Sequence, residues 1–154
     1  MAQGSDSRLM IDEDFYGAAS PLAATTAPPI VLGSLNVVGQ GIAETDSGAP
    51  RLDSDGLNGV IQLTTTNEDV HAAGLQSATM FDVGLMGSIV MEARVRQAAL
   101  NTGEVFIGFS DVNTDLAIIE GAICHGDTVT VTLTASDLVG FLMASDLTDN
   151  SDWH

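Results

Sequence analysis

The chain has 154 residues, 45% of them hydrophobic and only 5% aromatic, so one domain with a core of Val, Ile, Leu, Ala and Met fits its length. Twenty-one acids face four arginines (Arg8, Arg51, Arg94 and Arg96) and no lysine, a formal net charge of −17. That balance argues against nucleic acid as a direct partner and against docking on anionic membrane lipid, because both draw on clustered Lys and Arg.

The same charge favours solubility and attraction to cations or to a basic partner surface, and it also suits a salty habitat. No apolar run approaches the roughly 20 residues of a bilayer span. The opening MAQGSDSRLMIDEDF has neither the positive nor the apolar region of a secretory signal. The lone cysteine, Cys124, excludes an internal disulfide framework and reads as a small core residue.

Residues 1–29 read as an N-terminal arm: a polar, acidic start ending in Asp12-Glu13-Asp14, then a small-residue stretch closing on Pro28-Pro29. Phe15 and Tyr16 are its anchors. Residues 30–154 read as the domain. Ile30–Gly39 is a first strand region, weakened by Gly33, and Gly59–Thr66 is a second. Ala72 to Met80 holds one helical turn at most.

Ser88–Arg96 alternates, with Ile89, Met91, Ala93 and Val95 on one face and Glu92, Arg94 and Arg96 on the other, the signature of a half-buried strand. Asn101-Thr102-Gly103 suits a hairpin turn into the strand Glu104–Ser110. Leu116–Cys124 is a strand closed by a turn at His125-Gly126-Asp127. Thr128–Thr134 sets threonines against Val129, Val131 and Leu133, and Leu138–Ala144 reads as a mostly buried strand. Strands at this spacing, with no intervening helices, describe an all-β sandwich or barrel.

The most suggestive local motif is RLDSDGLNG, Arg51–Gly59, where Asp53, Asp55 and Asn58 offer hard oxygens at calcium-loop spacing. Thr64 stands where an EF-hand would place its terminal Glu, and Asp-Gly and Asn-Gly pairs serve equally as turn formers. His125 beside Cys124 is a transition-metal pair without the remaining ligands of a zinc site, and His71 and His154 lie far off in sequence. Glu92 and Glu104 flank the expected turn as a carboxylate pair, yet cross-strand pairing with Arg94 and Arg96 accounts for them more simply. No GxSxG elbow and no Gly-rich phosphate loop appears. These readings call for no cofactor, no resident metal and no catalytic residue.

VMEARVR (Val90–Arg96), VFIGFSD (Val105–Asp111) and TASDLVGFLMASDLTDNSDW (Thr134–Trp153), with DEDFYG (Asp12–Gly17) upstream, resemble a family of tailed-phage and prophage virion proteins. The resemblance implies a jelly-roll-like β-sandwich of the concanavalin or laminin-G kind. It also implies a structural role as a head-decoration (cement) protein, or as part of a fibre or appendage. Members of that family continue past the Asp-Trp region, so the sandwich is expected to be incomplete at the C-terminus or completed by another chain.

The expectation is therefore a non-enzymatic virion protein, made in the host cytoplasm and bound to the outer capsid surface. Its partners would be the major capsid protein and copies of itself, a trimer matching three-fold lattice positions. The alternative is a carbohydrate-binding module of a tail fibre, disfavoured by the single Trp and single Tyr.

Overall fold

The computed structural model describes residues 11–13, 30–38, 51–52, 60–65, 72–77, 87–97, 99, 102–112 and 123–154. Nine strands and no helix occur among the described residues, so the protein is strand-built. The chain divides into two compact units, Met1–Met80 and Phe81–His154. The expected 1–29 arm lies outside the described residues except for Ile11, Asp12 and Glu13, and the anchors Phe15 and Tyr16 lie wholly outside them.

In the first unit, β1 (Ile30–Leu32), β2 (Leu35–Val38) and β5 (Gly74–Gln76) form an antiparallel sheet in the order β1-β2-β5. The single strand expected over Ile30–Gly39 is thus a hairpin. Leu32 pairs with Leu35 across a Gly33-Ser34 turn, and Gly33 has φ +60°. Glycine at the first of two loop residues is what a right-twisted hairpin turn requires, because positive φ costs glycine nothing. The Glu13 carboxylate Oε2 accepts the Ser34 N–H at 2.8 Å and lies where a side chain at Gly33 would stand. Val37, at the centre of β2, is fully buried.

The helical turn allowed for Ala72 to Met80 is corrected: Gly74–Gln76 pairs with β2, because an open neighbouring edge settles three residues whose own preference is weak. β3 (Arg51–Leu52) and β4 (Ile61–Gln62) form a separate short ladder. Of the expected Gly59–Thr66 strand, residues 60–65 are described, and among them Ile61–Gln62 is strand.

In the second unit, β6 (Glu104–Ser110) and β9 (Leu138–Ala144) have the ends read from the sequence, and they pair antiparallel from Glu104↔Ala144 to Ser110↔Leu138. Ser145 N–H to Gly103 O (3.1 Å) and Asp111 N–H to Asp137 O (3.0 Å) extend the ladder at both ends. On the far side of β9, Leu142 and His154 exchange both backbone bonds, at 2.9 and 2.8 Å. β7 (Cys124–Asp127) and β8 (Thr130–Leu133) form a hairpin.

The core lies between this hairpin and the ribbon. Cys124, Leu142, Ala144 and Leu147 are buried, with Phe106, Ile123, Val131 and Leu138 against them. Side chains alternate across a strand, so all the β6 and β9 residues in this cluster come from one face of the ribbon.

Gly108 and Gly140 sit opposite each other on that face. A Cβ on Gly140 would stand 2.5 Å from the Ile107 carbonyl oxygen and 2.7 Å from the Phe106 ring, and one on Gly108 would stand 2.8 Å from the same ring. The aromatic ring thus occupies the space that the two glycines leave.

Three further expectations are corrected here. Ser88–Arg96 forms no strand: Val90 is 88% exposed, and Met91 and Val95 are each 48% exposed. Alternation says only that two faces differ, and without a partner ladder the apolar face stays in water. The expected turn His125-Gly126-Asp127 is strand, with the turn at Thr128-Val129. That shift leaves Val129 81% and Leu133 63% exposed, with only Val131 reaching the core. β9 is buried only over Leu142–Ala144, while Val139 and Phe141 are exposed.

Thr128 holds φ +55°, a region that a β-branched residue rarely enters. Its N–H donates to Asp146 O (3.0 Å) and its carbonyl accepts from Thr148 N–H (2.6 Å), so the tail fixes its backbone from both sides. Thr128→Gly is expected to stabilise the protein by about 1 kcal/mol by relieving this strain. Gly140→Ala is expected to cost about 2 kcal/mol or more through overpacking against backbone. Urea unfolding of the two variants checks both, and the opposite signs distinguish strain from simple loss of contacts.

Candidate functional site

The described polar groups closest to the core gather where β6 begins and β7 crosses β9. Glu104 opens β6, and its Oε1 accepts the Gly126 N–H at 2.9 Å. Gly126 is buried, and a Cβ there would stand 2.6 Å from Leu147 Cγ and 2.7 Å from Ala144 Cβ, so β7 packs directly on the end of β9. The carboxylate satisfies a backbone donor that this close packing keeps from water.

Cys124 is buried on the core face of β7. Burial, and secondarily the nearby Glu104 carboxylate, push its thiol above the ordinary cysteine range. A thiol held neutral in this way is a poor nucleophile at neutral pH. His125 is the next residue on the strand and points to the opposite face, so the two side chains cannot close on one ion. The His125 Nδ1 is buried without a hydrogen-bond partner.

The other carboxylate considered for catalysis, Glu92, is exposed on the segment that forms no strand, whereas Glu104 is half-buried and bonded to Gly126. The ladder that was to bring Glu92 beside Glu104 is not formed. Asp53, Asp55 and Asn58 lie outside the described residues, between the paired strands β3 and β4. His71 also lies outside them. Among the described residues no group of three or more His, Cys, Asp or Glu is placed to hold a metal ion.

A shallow depression of about 190 Å³ lies on the second unit, lined by Thr128, Val129, Val131, Leu147, Thr148, Asp149 and His154. His154 Nε2 lies 2.9 Å from the Asp149 carbonyl. A carbonyl only accepts, so this nitrogen carries the proton. Sequence reasoning missed the depression because it is assembled by the β7–β8 turn and the tail, two segments with no shared periodicity.

No family model, curated protein or solved structure matches the chain. The functional reading therefore rests on the residues themselves.

Glu104→Ala is expected to destabilise the protein by about 1–3 kcal/mol, since it leaves the buried Gly126 N–H without an acceptor. Glu104→Gln retains an acceptor and should cost less, and Glu92→Gln should have no measurable effect in the same chemical unfolding series.

The raised thiol of Cys124 gives a pH dependence of definite sign. The folded state holds its proton to higher pH than the unfolded chain, so its contribution is complete below the unfolded pKa. It is lost as the pH rises from about 8.5 through the folded value. Stability should fall over that alkaline range, and Cys124→Ala should flatten the fall while lowering stability at pH 7.

Proposed function

We propose that this protein is a structural component of a tailed-phage virion: a head-decoration protein that binds the major capsid protein on the outer head surface and reinforces the shell, without enzymatic activity. The observation that carries this reading is the coming together of two segments distant in sequence. VFIGFSD and TASDLVGFLMASDLTDNSDW, which resemble virion proteins, supply β6 and β9 and pair along the length of both strands. The finer architecture belongs to the same proposal. The ribbon β6–β9 packed on the hairpin β7–β8 is the part of a concanavalin-like jelly-roll sandwich that these segments build.

The charge suits such a role. A net −17 keeps the chain soluble and apart from its own copies before a shell exists to receive it. A ligand that binds only assembled subunits stabilises the assembly by mass action. The N-terminal residues supply the reach, because extended chain spans about 3.3–3.6 Å per residue.

A second reading, a carbohydrate-binding module of a tail fibre, is favoured by one observation. Trp153 remains 43% exposed beside His154, which lines the depression, and an exposed ring is what stacks on a sugar.

Co-sedimentation with capsids that lack decoration protein separates the two. Saturable binding to assembled shells, with none to unassembled capsid subunits, is expected. Deletion of residues 1–10 is expected to weaken binding while leaving Glu13 to hold the Ser34 N–H. Glycan binding abolished by Trp153→Ala, without capsid binding, would replace the proposal by the second reading.

A further inference from the structure

The virion reading leaves the depression beside the tail unused. Leu147 is buried and Val131 half-buried, so they lie deepest in it, and Val129 stands at its side largely in water. An exposed apolar side chain beside a recess gains from whatever covers it. At about 190 Å³ the recess is smaller than an ordinary small-molecule site and takes one side chain or one ring. Its walls are fixed in advance: the tail bonds to the Thr128 backbone on both sides, and His154 bonds to Leu142. Little ordering then opposes an occupant.

The polar residues that line it, Thr148, Asp149 and His154, offer acceptors. The Asp149 carboxylate has no hydrogen-bond or ion-pair partner among the described residues. His154 Nε2 donates to the Asp149 carbonyl, so in the neutral ring Nδ1 is left as an acceptor. The Thr148 hydroxyl accepts as well as donates. No Lys, Arg or aromatic residue lines the depression, so an anion meets no cation there and a sugar finds no ring to stack on within it.

Charge decides among the remaining occupants. Asp127, Asp146 and Asp152 are exposed close by in sequence, and the whole chain carries −17, a field that favours a cation. Acceptors from three residues suit a compact head with three rotatable donors, and the apolar recess suits an aliphatic stem. Lysine has both, whereas a planar guanidinium calls for a matched fork of acceptors.

We propose that the depression receives a lysine side chain of a basic protein partner, with its stem on Val129, Val131 and Leu147 and its ammonium on the Asp149 carboxylate. The chain has no lysine, so neither its own residues nor a second copy can supply that side chain. The partner's identity rests on the virion reading: it is the capsid surface, and the depression is a point of attachment separate from the N-terminal residues.

The test follows the NMR amide signals of residues 129–131 and 147–149 in the full chain as Nα-acetyl-lysine methylamide is added. Saturable shifts are expected, and none with the same probe acetylated on Nε, which keeps the stem and loses the charge. n-Butylammonium should bind about threefold more tightly than methylammonium, because only the longer stem covers the apolar residues. Asp149→Asn keeps the backbone carbonyl that His154 uses and should weaken the lysine probe about fivefold. Asp137→Asn removes the same charge at the far end of the β6–β9 ladder and should weaken it less than about twofold. Equal shifts with the acetylated probe, equal loss in the two aspartate variants, or tighter binding of a methyl glycoside at these amides overturns the inference. Co-sedimentation with capsid shells separates it from the reading on which it rests. Shell binding unchanged by Asp149→Asn overturns the inference and leaves the reading. Lysine shifts in a chain that no shell retains overturn the reading and leave the site.

Discussion

The second unit is organised by the stacking of one aromatic ring over two glycines. Phe106 lies across Gly108 and Gly140, which face each other on adjacent strands, and no residue with a Cβ fits at either glycine without displacing backbone. With the ring seated, the same face of the ribbon presents Leu138, Leu142 and Ala144 to the β7–β8 hairpin, and Cys124, Val131 and Leu147 close the core. Loss of that fit would remove the surface on which the hairpin rests, so the register of β6 with β9 and the packing of β7 are one constraint. A ladder bonded from Gly103 to Asp111 has little freedom to slip, because a one-residue shift would carry every core side chain to the opposite face.

Two tight turns meet the same geometric demand by different means. At Gly33 the residue itself tolerates positive φ, and the Glu13 carboxylate occupies the space beside it. At Thr128 the residue does not, and backbone bonds to Asp146 and Thr148 hold it in place. Carboxylates recur in this role. In a chain with 21 acids and four arginines, cations are too few to pair with most acids. Glu13 and Glu104 accept backbone N–H groups, at Ser34 and Gly126. A charged acceptor makes a stronger bond to an N–H than a neutral one does, so some of the acidity is structural rather than only solvating.

The two faces of the ribbon differ in what covers them. One is filled by the core. The other carries Val105, Ile107, Phe109, Val139, Phe141 and Met143, of which Met143 is buried and Val139 and Phe141 stand in water. Around that apolar surface the chain's formal net charge of −17 sets up a long-range repulsion between copies.

The sequence by itself determined the strand-built character of the protein and the limits of its two longest strands. Glu104–Ser110 and Leu138–Ala144 are dense in β-branched and aromatic residues and are bounded by turn formers, which are local properties. The small core role of Cys124 was legible for the same reason. Only the tertiary structure decided which strands pair and what covers each face. Ser88–Arg96 alternates as cleanly as any segment, yet it finds no ladder, because pairing depends on a partner that periodicity does not name. The hairpin turn moved from His125-Gly126-Asp127 to Thr128-Val129 against local preference, because packing of Gly126 on Leu147 and bonds from the tail outweighed the strain at one threonine. The depression beside His154 was invisible for a related reason: its walls come from a turn and a tail that only the folded chain brings together.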